Sequence, residues 1–306
     1  MSDAVEQRFD RLRDAGWVTA GSRGFGERAG FFASVRAILV QRQLLGLLVR
    51  RDIKARYKDS ALGLLWTLIN PIVQLLVYFV VMGKVLGAAS SIPDFAIYVF
   101  SGLTLYGFFA EILSSSTGAI VNNAGLVRKV YVPREIFPLS SVGAASFTSG
   151  VQVLVLLVAC VVLGAAPLHA QILYFFPSLA IVLLFGSGFG LLLCALNVYL
   201  RDVQYLIQVV LMLALWSSPI VYGWNMVNRV FSEFNLPAWA LEIYTNNPLT
   251  LAVLGFRKAF WIAGPSSDYP AGLPLRMAIC ILIGMVVLWG CHRVFTRLQG
   301  NFAQEL

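Results

Sequence analysis

Residues 50–73 read RRDIKARYKDSALGLLWTLINPIV, and within this stretch a basic segment changes abruptly into a long apolar one. The cations of the basic segment are Arg50, Arg51, Lys54, Arg56 and Lys58. Moving one such side chain to the centre of a membrane-spanning helix costs about 2.5–3.5 kcal/mol, so we expect this segment to stay in water while the following residues enter a bilayer. The stretch therefore predicts the beginning of a first membrane span.

The composition of the whole chain is typical of a membrane protein. Of its 306 residues, 58% are hydrophobic and 12% are charged, and the mean hydropathy is +0.77. So little charge would not cover the surface of a soluble protein of this length. The net charge of +8 is concentrated before residue 59 and in short loops, which favours lipid headgroups or a cytosolic protein as the partner and excludes nucleic acid.

Six apolar runs predict transmembrane helices, since a span needs about 20 apolar residues. They cover residues 61–83, 95–121, 137–163, 172–199, 203–222 and 274–292. A chain that begins in the cytoplasm and crosses in this order keeps 18 of its 23 Lys and Arg residues on the cytoplasmic side. Because cytoplasmic loops are enriched in basic residues, we expect an all-α, multi-pass protein of the plasma or inner membrane with both termini in the cytoplasm.

The residues outside this transmembrane domain, 59–297, form three further parts. Residues 1–30 mix charges with five glycines, which predicts a flexible cytoplasmic extension. From residue 31 to residue 58, apolar side chains recur at helical spacing, which predicts an amphipathic helix at the membrane interface; a helix buried in the core is the alternative. Residues 298–306 are expected to form a cytoplasmic tail.

The loop between the second and third predicted spans carries Arg128, Lys129, Arg134 and Glu135 around Pro133. Proline lacks a backbone N–H and has a fixed φ, so a helix would end or kink there. A basic cytoplasmic loop without any further role would have the same composition. The residues alone leave both interpretations open.

A second long loop, residues 223–272, contains apolar pieces too short to span a bilayer, together with tryptophans typical of a membrane interface. We expect two short re-entrant helices that dip into the outer leaflet, with a break near Asn247 and Pro248. An ordinary extracellular loop is the alternative.

Several motifs that would indicate catalysis are missing. The sequence has no GxxxxGK followed by Ser or Thr, so it lacks the loop that holds ATP phosphates in many ATPases. GSGFG at residues 186–190 lies inside a predicted span, where its glycines indicate close helix packing rather than a nucleotide site. His169 and His292 have no cluster of metal-binding neighbours, so no metal is expected. The four cysteines lie in or beside apolar runs and are interpreted as packing residues.

Polar and aromatic residues inside the spans suggest a transport path. Glu111 is followed by hydroxyl residues at 114–117 and is expected in a polar cavity. A single acid speaks against an ion-coupled carrier, because such carriers use buried ionisable groups. The many aromatic rings of the spans would suit stacking on sugars, with lipid-facing or core aromatics as the alternative.

Four stretches, in order along the chain, resemble one known family. They are RDIKARYKDSALGLLWTLINPIV at 51–73, VRKVYVPREIFPLS at 127–140, LNVYLRDVQYLIQVVLMLALWSSPIVY at 196–222, and NNPLT at 246–250 followed by FRKAF at 256–260. Together they resemble the permease subunits of ABC-2-type polysaccharide exporters, which include the O-antigen, teichoic acid and capsule export permeases. The resemblance covers about residues 32–297, and the extension before it is similar to that of the actinobacterial galactan exporters.

The resemblance implies a division of labour. Two copies of the chain would enclose a channel for a polyprenyl-linked glycan, and two cytosolic ABC ATPase subunits, which bind ATP and Mg, would power its export. This chain would bind no cofactor and catalyse no reaction.

The resemblance also implies roles for individual residues. The interface helix would contribute Arg50, Arg51, Lys54, Arg56 and Tyr57. The ATPase would dock on Val127, Arg128, Lys129, Tyr131, Pro133, Arg134, Glu135, Arg201 and Asp202. The channel would be lined by Trp66, Asn70, Tyr78, Tyr98, Tyr106, Phe108 and Phe109. The periplasmic gate would include Trp224, Asn247, Pro248 and Phe256.

Two other functions stay open at this point. The same scaffold would also suit export of a drug or a lipid. A membrane-embedded glycosyl or acyl transferase is the third candidate, but it needs paired carboxylates or a catalytic histidine near an interface, and the sequence offers neither.

Overall fold

The structure is a computed structural model that describes residues 31–57, 63–85, 87, 92–129 and 132–306. Within these residues every regular element is helical, which confirms the predicted all-α class. The helices are α1 (Phe31–Val40), α2 (Arg42–Tyr57), α3 (Trp66–Tyr78), α4 (Phe95–Thr117), α5 (Ala124–Lys129), α6 (Ile136–Val162), α7 (Phe175–Tyr199), α8 (Val203–Trp216), α9 (Trp224–Glu233), α10 (Ala238–Thr245), α11 (Pro248–Phe260), α12 (Leu273–Leu298) and α13 (Phe302–Glu305). The predicted extension, 1–30, lies outside the described residues.

Five helical segments are long and apolar enough to cross a bilayer. They are Trp66–Val85, Phe95–Thr117, Ile136–Val162, Ala170–Tyr199 and Leu273–Asn301. Each matches a predicted span, so the chain has the architecture of a multi-pass membrane protein. The remaining predicted span, 203–222, is helical only over Val203–Trp216. At 1.5 Å per residue α8 is about 21 Å long, shorter than the hydrocarbon core of about 30 Å, so the sixth crossing stays a prediction.

The predicted interface helix is divided in two at Gln41. α1 ends at Val40 and α2 begins at Arg42, although the Gln41 N–H still donates to the Ile38 carbonyl at 3.0 Å. α2 packs against α6 so closely that a Cβ added at Gly143 would lie 2.7 Å from Val49 Cγ2. Because Leu47 on the other side is 63% exposed, α2 is a surface helix fastened to the bundle and not the core helix of the alternative.

The turn after α6 has the hydrogen bonds of a Schellman motif. The Ala165 N–H donates to the Cys160 carbonyl at 2.9 Å, and the Gly164 N–H donates to the Val161 carbonyl at 3.1 Å. Gly164 has a φ of +76°, a conformation that glycine adopts without steric conflict. The motif ends α6 sharply and returns the chain towards α7.

The glycines of GSGFG lie at helix contacts, as predicted. A Cβ at Gly188 would be 3.2 Å from the Leu288 backbone of α12, and one at Gly186 would be 3.1 Å from Ile112 on α4. All four cysteines are buried and unpaired in disulfides, which confirms their interpretation as packing residues.

Buried apolar side chains form two large clusters in the described residues. The larger, here the aromatic core, surrounds α11 and includes Tyr98, Phe100, Phe185, Phe256, Phe260 and Trp261. The smaller, here the loop core, lies at the other end of the bundle. It contains Leu48, Ala119, Ile120, Val127, Ile136, Phe137, Leu191, Cys194, Ala195, Val198, Phe295 and Phe302. The loop core therefore receives side chains from α2, from the loop before α6, from the end of α7 and from the segment after α12.

Candidate functional site

The predicted docking residues gather at the end of the bundle filled by the loop core, which we call the basic end. Arg128 and Lys129 occupy the last turn of α5 and are exposed. Cations are favourable there because the unpaired carbonyls of a helix C-terminus carry partial negative charge. Arg201 and Asp202 form the turn between α7 and α8, and both are exposed, as the sequence predicts.

Other members of the docking set face inwards. Val127, Pro133 and Glu135 are buried, with Glu135 only 3% exposed. Arg134 is half-buried, and its guanidinium carbon lies 5.7 Å from the centre of the Phe302 ring. Tyr131 lies outside the described residues. Val127, Pro133 and Glu135 therefore bury their side chains beneath the loop, and their part in ATPase docking stays a prediction.

Glu135 has polar neighbours from the end of α12. The Gln299 side chain lies beside its carboxylate and favours the charged form, and Glu135 Oε1 lies 3.7 Å from His292 Nε2. Burial disfavours the charged carboxylate and raises the pKa of Glu135 above its ordinary value. The loop before α6 is thereby tied to the segment that follows α12.

The cations of α2 are all exposed, and two of them form ion pairs. Arg50 and Lys54 are among the exposed cations, Arg51 pairs with Asp52 at 2.7 Å, and Arg56 pairs with Glu111 of α4. Asp52 also accepts a hydrogen bond from the Ser140 hydroxyl at 2.9 Å. Tyr57 is the last residue of α2.

A cavity of about 350 Å³ lies beside these ion pairs. Its polar lining is Arg51, Asp52, Arg56, Ser115, Asn122, Asn123 and Ser141. Of the residues predicted to share a polar cavity, only Ser115 lines this one. Glu111 is not among the lining residues, and Ser116 and Thr117 hydrogen-bond backbone carbonyls. The sequence analysis did not anticipate the ion pair between Arg56 and Glu111, because the two residues lie on different helices.

The predicted channel residues do not share one surface of this chain. Tyr98 and Phe108 are buried in the aromatic core, and their place on a transport path stays a prediction. The Tyr106 hydroxyl donates to the Leu211 carbonyl of α8 at 2.8 Å, and Phe109 packs near Leu211. On α3, Tyr78 is half-buried, while Trp66 and Asn70 are exposed.

The region of the predicted gate contains three helices, α9, α10 and α11, where the sequence analysis expects two. α11 begins where the break is predicted: Asn247 Oδ1 accepts a hydrogen bond from the Leu249 N–H at 3.0 Å, and Pro248 occupies the first turn. Asparagine at this position and proline in the first turn are both favourable at a helix start. Trp224 Nε1 donates to Thr245 Oγ1 at 3.0 Å, and Phe256 is fully buried.

Arg257 of α11 is a buried cation that the sequence analysis missed, having counted it as a charge on the outer side. It is 1% exposed. Its Nη1 donates to the Tyr98 hydroxyl at 2.7 Å and to the Pro219 carbonyl at 2.8 Å, and its Nη2 donates to the Ile220 carbonyl at 2.7 Å. The guanidinium therefore joins α11 to α4 and to the turn after α8. An arginine late in the otherwise apolar helix PLTLAVLGFRKAF was the available signal.

A second arginine fastens α10 to α12. Arg276 donates to both carboxylate oxygens of Glu242, through Nη1 at 2.5 Å and through Nη2 at 3.0 Å, and its Nη1 also donates to Asn246 Oδ1 at 2.9 Å. These hydrogen bonds lower the pKa of Glu242. The start of α12 and the end of α10 are thus linked at the surface.

Comparison with known proteins identifies the family. The profile of the ABC-2 type transporter family matches residues 43–261. The chain is 27% identical over 264 residues to the O-antigen export system permease protein RfbA of Klebsiella pneumoniae, covering 86% of this chain and 95% of that protein. It is 28% identical to RfbA of Myxococcus xanthus over 273 residues, with coverage of 89% and 98%. The capsule polysaccharide export inner-membrane protein CtrC of Neisseria meningitidis is 26% identical over 258 residues, with coverage of 83% and 93%. The chain belongs to the ABC-2 type transporter family.

Proposed function

We propose that this chain is the membrane permease subunit of an ATP-driven exporter that moves a polyprenyl-linked polysaccharide from cytoplasm to periplasm. The observation that carries the proposal is an alignment that covers 86% of this chain and nearly the whole length of an O-antigen export permease. Separate ABC ATPase subunits, with ATP and Mg, supply the energy, and this chain binds no cofactor. The names of the reported relatives favour polysaccharide over a drug or a lipid as the substrate.

The exposed charges of the basic end support its role as the ATPase contact. Arg128 and Lys129 of α5 are exposed. Arg201 and Asp202, in the turn between α7 and α8, are exposed as well. Because basic residues favour the cytoplasmic side, the basic end is assigned to the cytoplasm, with both termini on that side.

Hydrogen bonds at the end of the bundle opposite the basic end support the proposal of six membrane crossings and a re-entrant gate. Irregular backbone at membrane depth requires internal hydrogen-bond partners. The carbonyls of Pro219 and Ile220, after α8, accept from Arg257, and the Tyr222 carbonyl accepts from the Tyr98 hydroxyl at 2.8 Å. The polypeptide after α8 can therefore complete the sixth crossing without a helix.

The position of the exposed channel residues supports a homodimer. Trp66 and Asn70 lie on the outer surface of one copy. A path lined by them needs a second chain to close it.

The proposal is tested by purifying the chain from its native cells in mild detergent and assaying the co-purified proteins for ATPase activity. A stoichiometric ABC ATPase is expected. Arg128→Ala combined with Lys129→Ala should lower ATPase recovery by about tenfold, the effect of losing about 1.4 kcal/mol of binding. Arg229→Ala, which removes an exposed arginine from α9, is the matched control and should change nothing.

Absence of any ATPase from crosslinked preparations would overturn the assignment. Unchanged surface polysaccharide after depletion of the chain would instead favour a drug or lipid substrate.

A further inference from the structure

The loop core joins both predicted docking loops to a segment that the sequence analysis treats as a simple tail. This segment, residues 295–306, comprises the end of α12, the turn Gln299–Asn301 and α13. Phe295 and Phe302 are fully buried, and their ring centres are 5.7 Å apart in an edge-on arrangement. A segment that buries two packed aromatic rings is held in a defined position.

The first docking loop is fastened to this segment at two residues. The Arg134 guanidinium lies over the Phe302 ring, and Gln299 lies beside the Glu135 carboxylate, whose charged form it favours. Both residues closely follow Arg128 and Lys129 along the chain. Movement of Phe302 and Gln299 is thus transmitted to the loop that carries those cations.

The second docking loop is fastened to the same segment. The Tyr199 hydroxyl donates to the Leu298 carbonyl at 2.7 Å, and the Tyr199 ring centre is 6.1 Å from that of Phe302. Tyr199 precedes Arg201 by two residues. One phenylalanine ring therefore contacts residues next to both exposed charged sites.

We propose that Tyr199, Gln299 and Phe302 form a bracket that holds the two docking loops at a fixed separation and makes them move as one unit. The inference rests on the proposed function, in which these loops contact the ATPase. The three residues are positioning residues, because they act through the loops and not on ATP or glycan. Closely packed side chains transmit displacement rather than absorbing it, so a bracketed pair of loops would deliver the movement of an ATPase to α6, α7 and α8 together.

The separation of the loops is the direct test. Gly125→Cys and Leu200→Cys place nitroxide labels at two exposed positions, while the native cysteines are buried. In a complete complex that holds one labelled and one unlabelled copy of the chain, pulsed electron paramagnetic resonance should give one narrow distribution of the distance between the two loops. Phe302→Ala should broaden it, whereas Val294→Ala, at an exposed position of α12, should not. An unchanged distribution in Phe302→Ala would overturn the bracket.

Coupling is the second readout. In cells whose only copy of the permease is the variant, Phe302→Ala should lower surface polysaccharide by about fivefold, a typical coupling contribution, while the purified complex retains its ATP hydrolysis. Phe302→Leu, which keeps much of the apolar volume, should restore part of the loss. Equal losses of hydrolysis and export would indicate a merely structural role and would overturn the proposal.

Tyr199→Phe keeps the test decisive if Phe302→Ala does not fold, because it removes one hydroxyl and preserves the ring. It should also broaden the distribution, and an unchanged width would count against the bracket. Failure of the unmodified chain to co-purify an ATPase would contradict the proposed function itself. If an ATPase co-purifies but the substitutions leave the distance distribution between the loops unchanged, only this inference would be contradicted.

Discussion

The two buried clusters of this chain are built in different ways. The aromatic core encloses α11 with large rings from long helices and contains the fully buried Arg257. The loop core is smaller and takes side chains from several segments, some of which also carry exposed cations such as Arg128 and Lys129. The first arrangement encloses a short helix inside the bundle, and the second supports a surface from beneath.

With these two clusters, one membrane domain combines a rigid part with a responsive part. Burial on all sides makes the aromatic core intolerant of change. The loop core depends on a few contacts between short segments, so each of its residues affects where a loop lies. We therefore expect substitutions in the aromatic core to reduce stability and substitutions in the loop core to alter coupling.

The largest expected effect is that of Phe256→Ala. Phe256 packs against Phe260 at 4.8 Å between ring centres, and removing a buried phenylalanine ring typically costs about 3–5 kcal/mol. The yield of monodisperse protein in detergent and its melting temperature should both fall. Phe176→Ala, at a ring that is 65% exposed, is the control. Equal stability of the two variants would remove the distinction between the clusters.

Arg257→Lys should follow, with a loss of about 3 kcal/mol. A lysine cannot reproduce the planar fork that reaches the Pro219 and Ile220 carbonyls, and unpaired buried carbonyls are destabilising. Thermal unfolding measures the loss, with Arg229→Lys at the surface as the reference. A variant as stable as the parent chain would show that the turn after α8 does not depend on this arginine.

Gly143→Ala is expected to cost about 1–3 kcal/mol, because the added methyl group would overlap Val49 and push α2 away from α6. Hydrogen exchange of the α2 amides should accelerate, while α11 stays protected. The matched control is Gly150→Ala on the same helix, where a Cβ meets no atom within 4 Å. That variant should be neutral or slightly stabilised.

The smallest expected effect is the pH dependence contributed by Glu135. Its pKa is raised in the folded state from an ordinary value of 4.5. The associated stability is complete below pH 4.5 and declines as pH rises through the folded-state pKa. Glu135→Gln should therefore flatten the dependence of the melting temperature on pH above 4.5. An identical slope in both proteins would show that the carboxylate does not titrate in this range.

Hydropathy predicted the long helices well because the length of an apolar run is a local property. Side-chain direction is not local, and it accounts for the errors. Glu135 is charged and lies in a basic loop, yet it faces inwards because Gln299, far along the chain, provides its partner. Arg257 was placed with the outer charges because its acceptors belong to other segments. The polar residues at 41–43 and the Ser217, Ser218 and Pro219 that follow Trp216 were the available signals for the break at Gln41 and the early end of α8. They were missed because the apolar residues on either side were interpreted as one helix or one span.

The length of α8 also bears on the lipids around the protein. Several of its apolar side chains are exposed, including Leu206, Val209 and Leu213. In the proposed arrangement of six crossings, the helical part of the sixth is about 21 Å long and lies beside helices that match a full hydrocarbon core, so the apolar helix surface is shorter on this side of the molecule. Acyl chains next to α8 would shorten or tilt to match its length, which would thin the bilayer locally. The thinner bilayer would favour neighbouring proteins whose membrane-spanning helices are equally short. Bilayer thickness would then influence where in a membrane this protein resides and what gathers beside it.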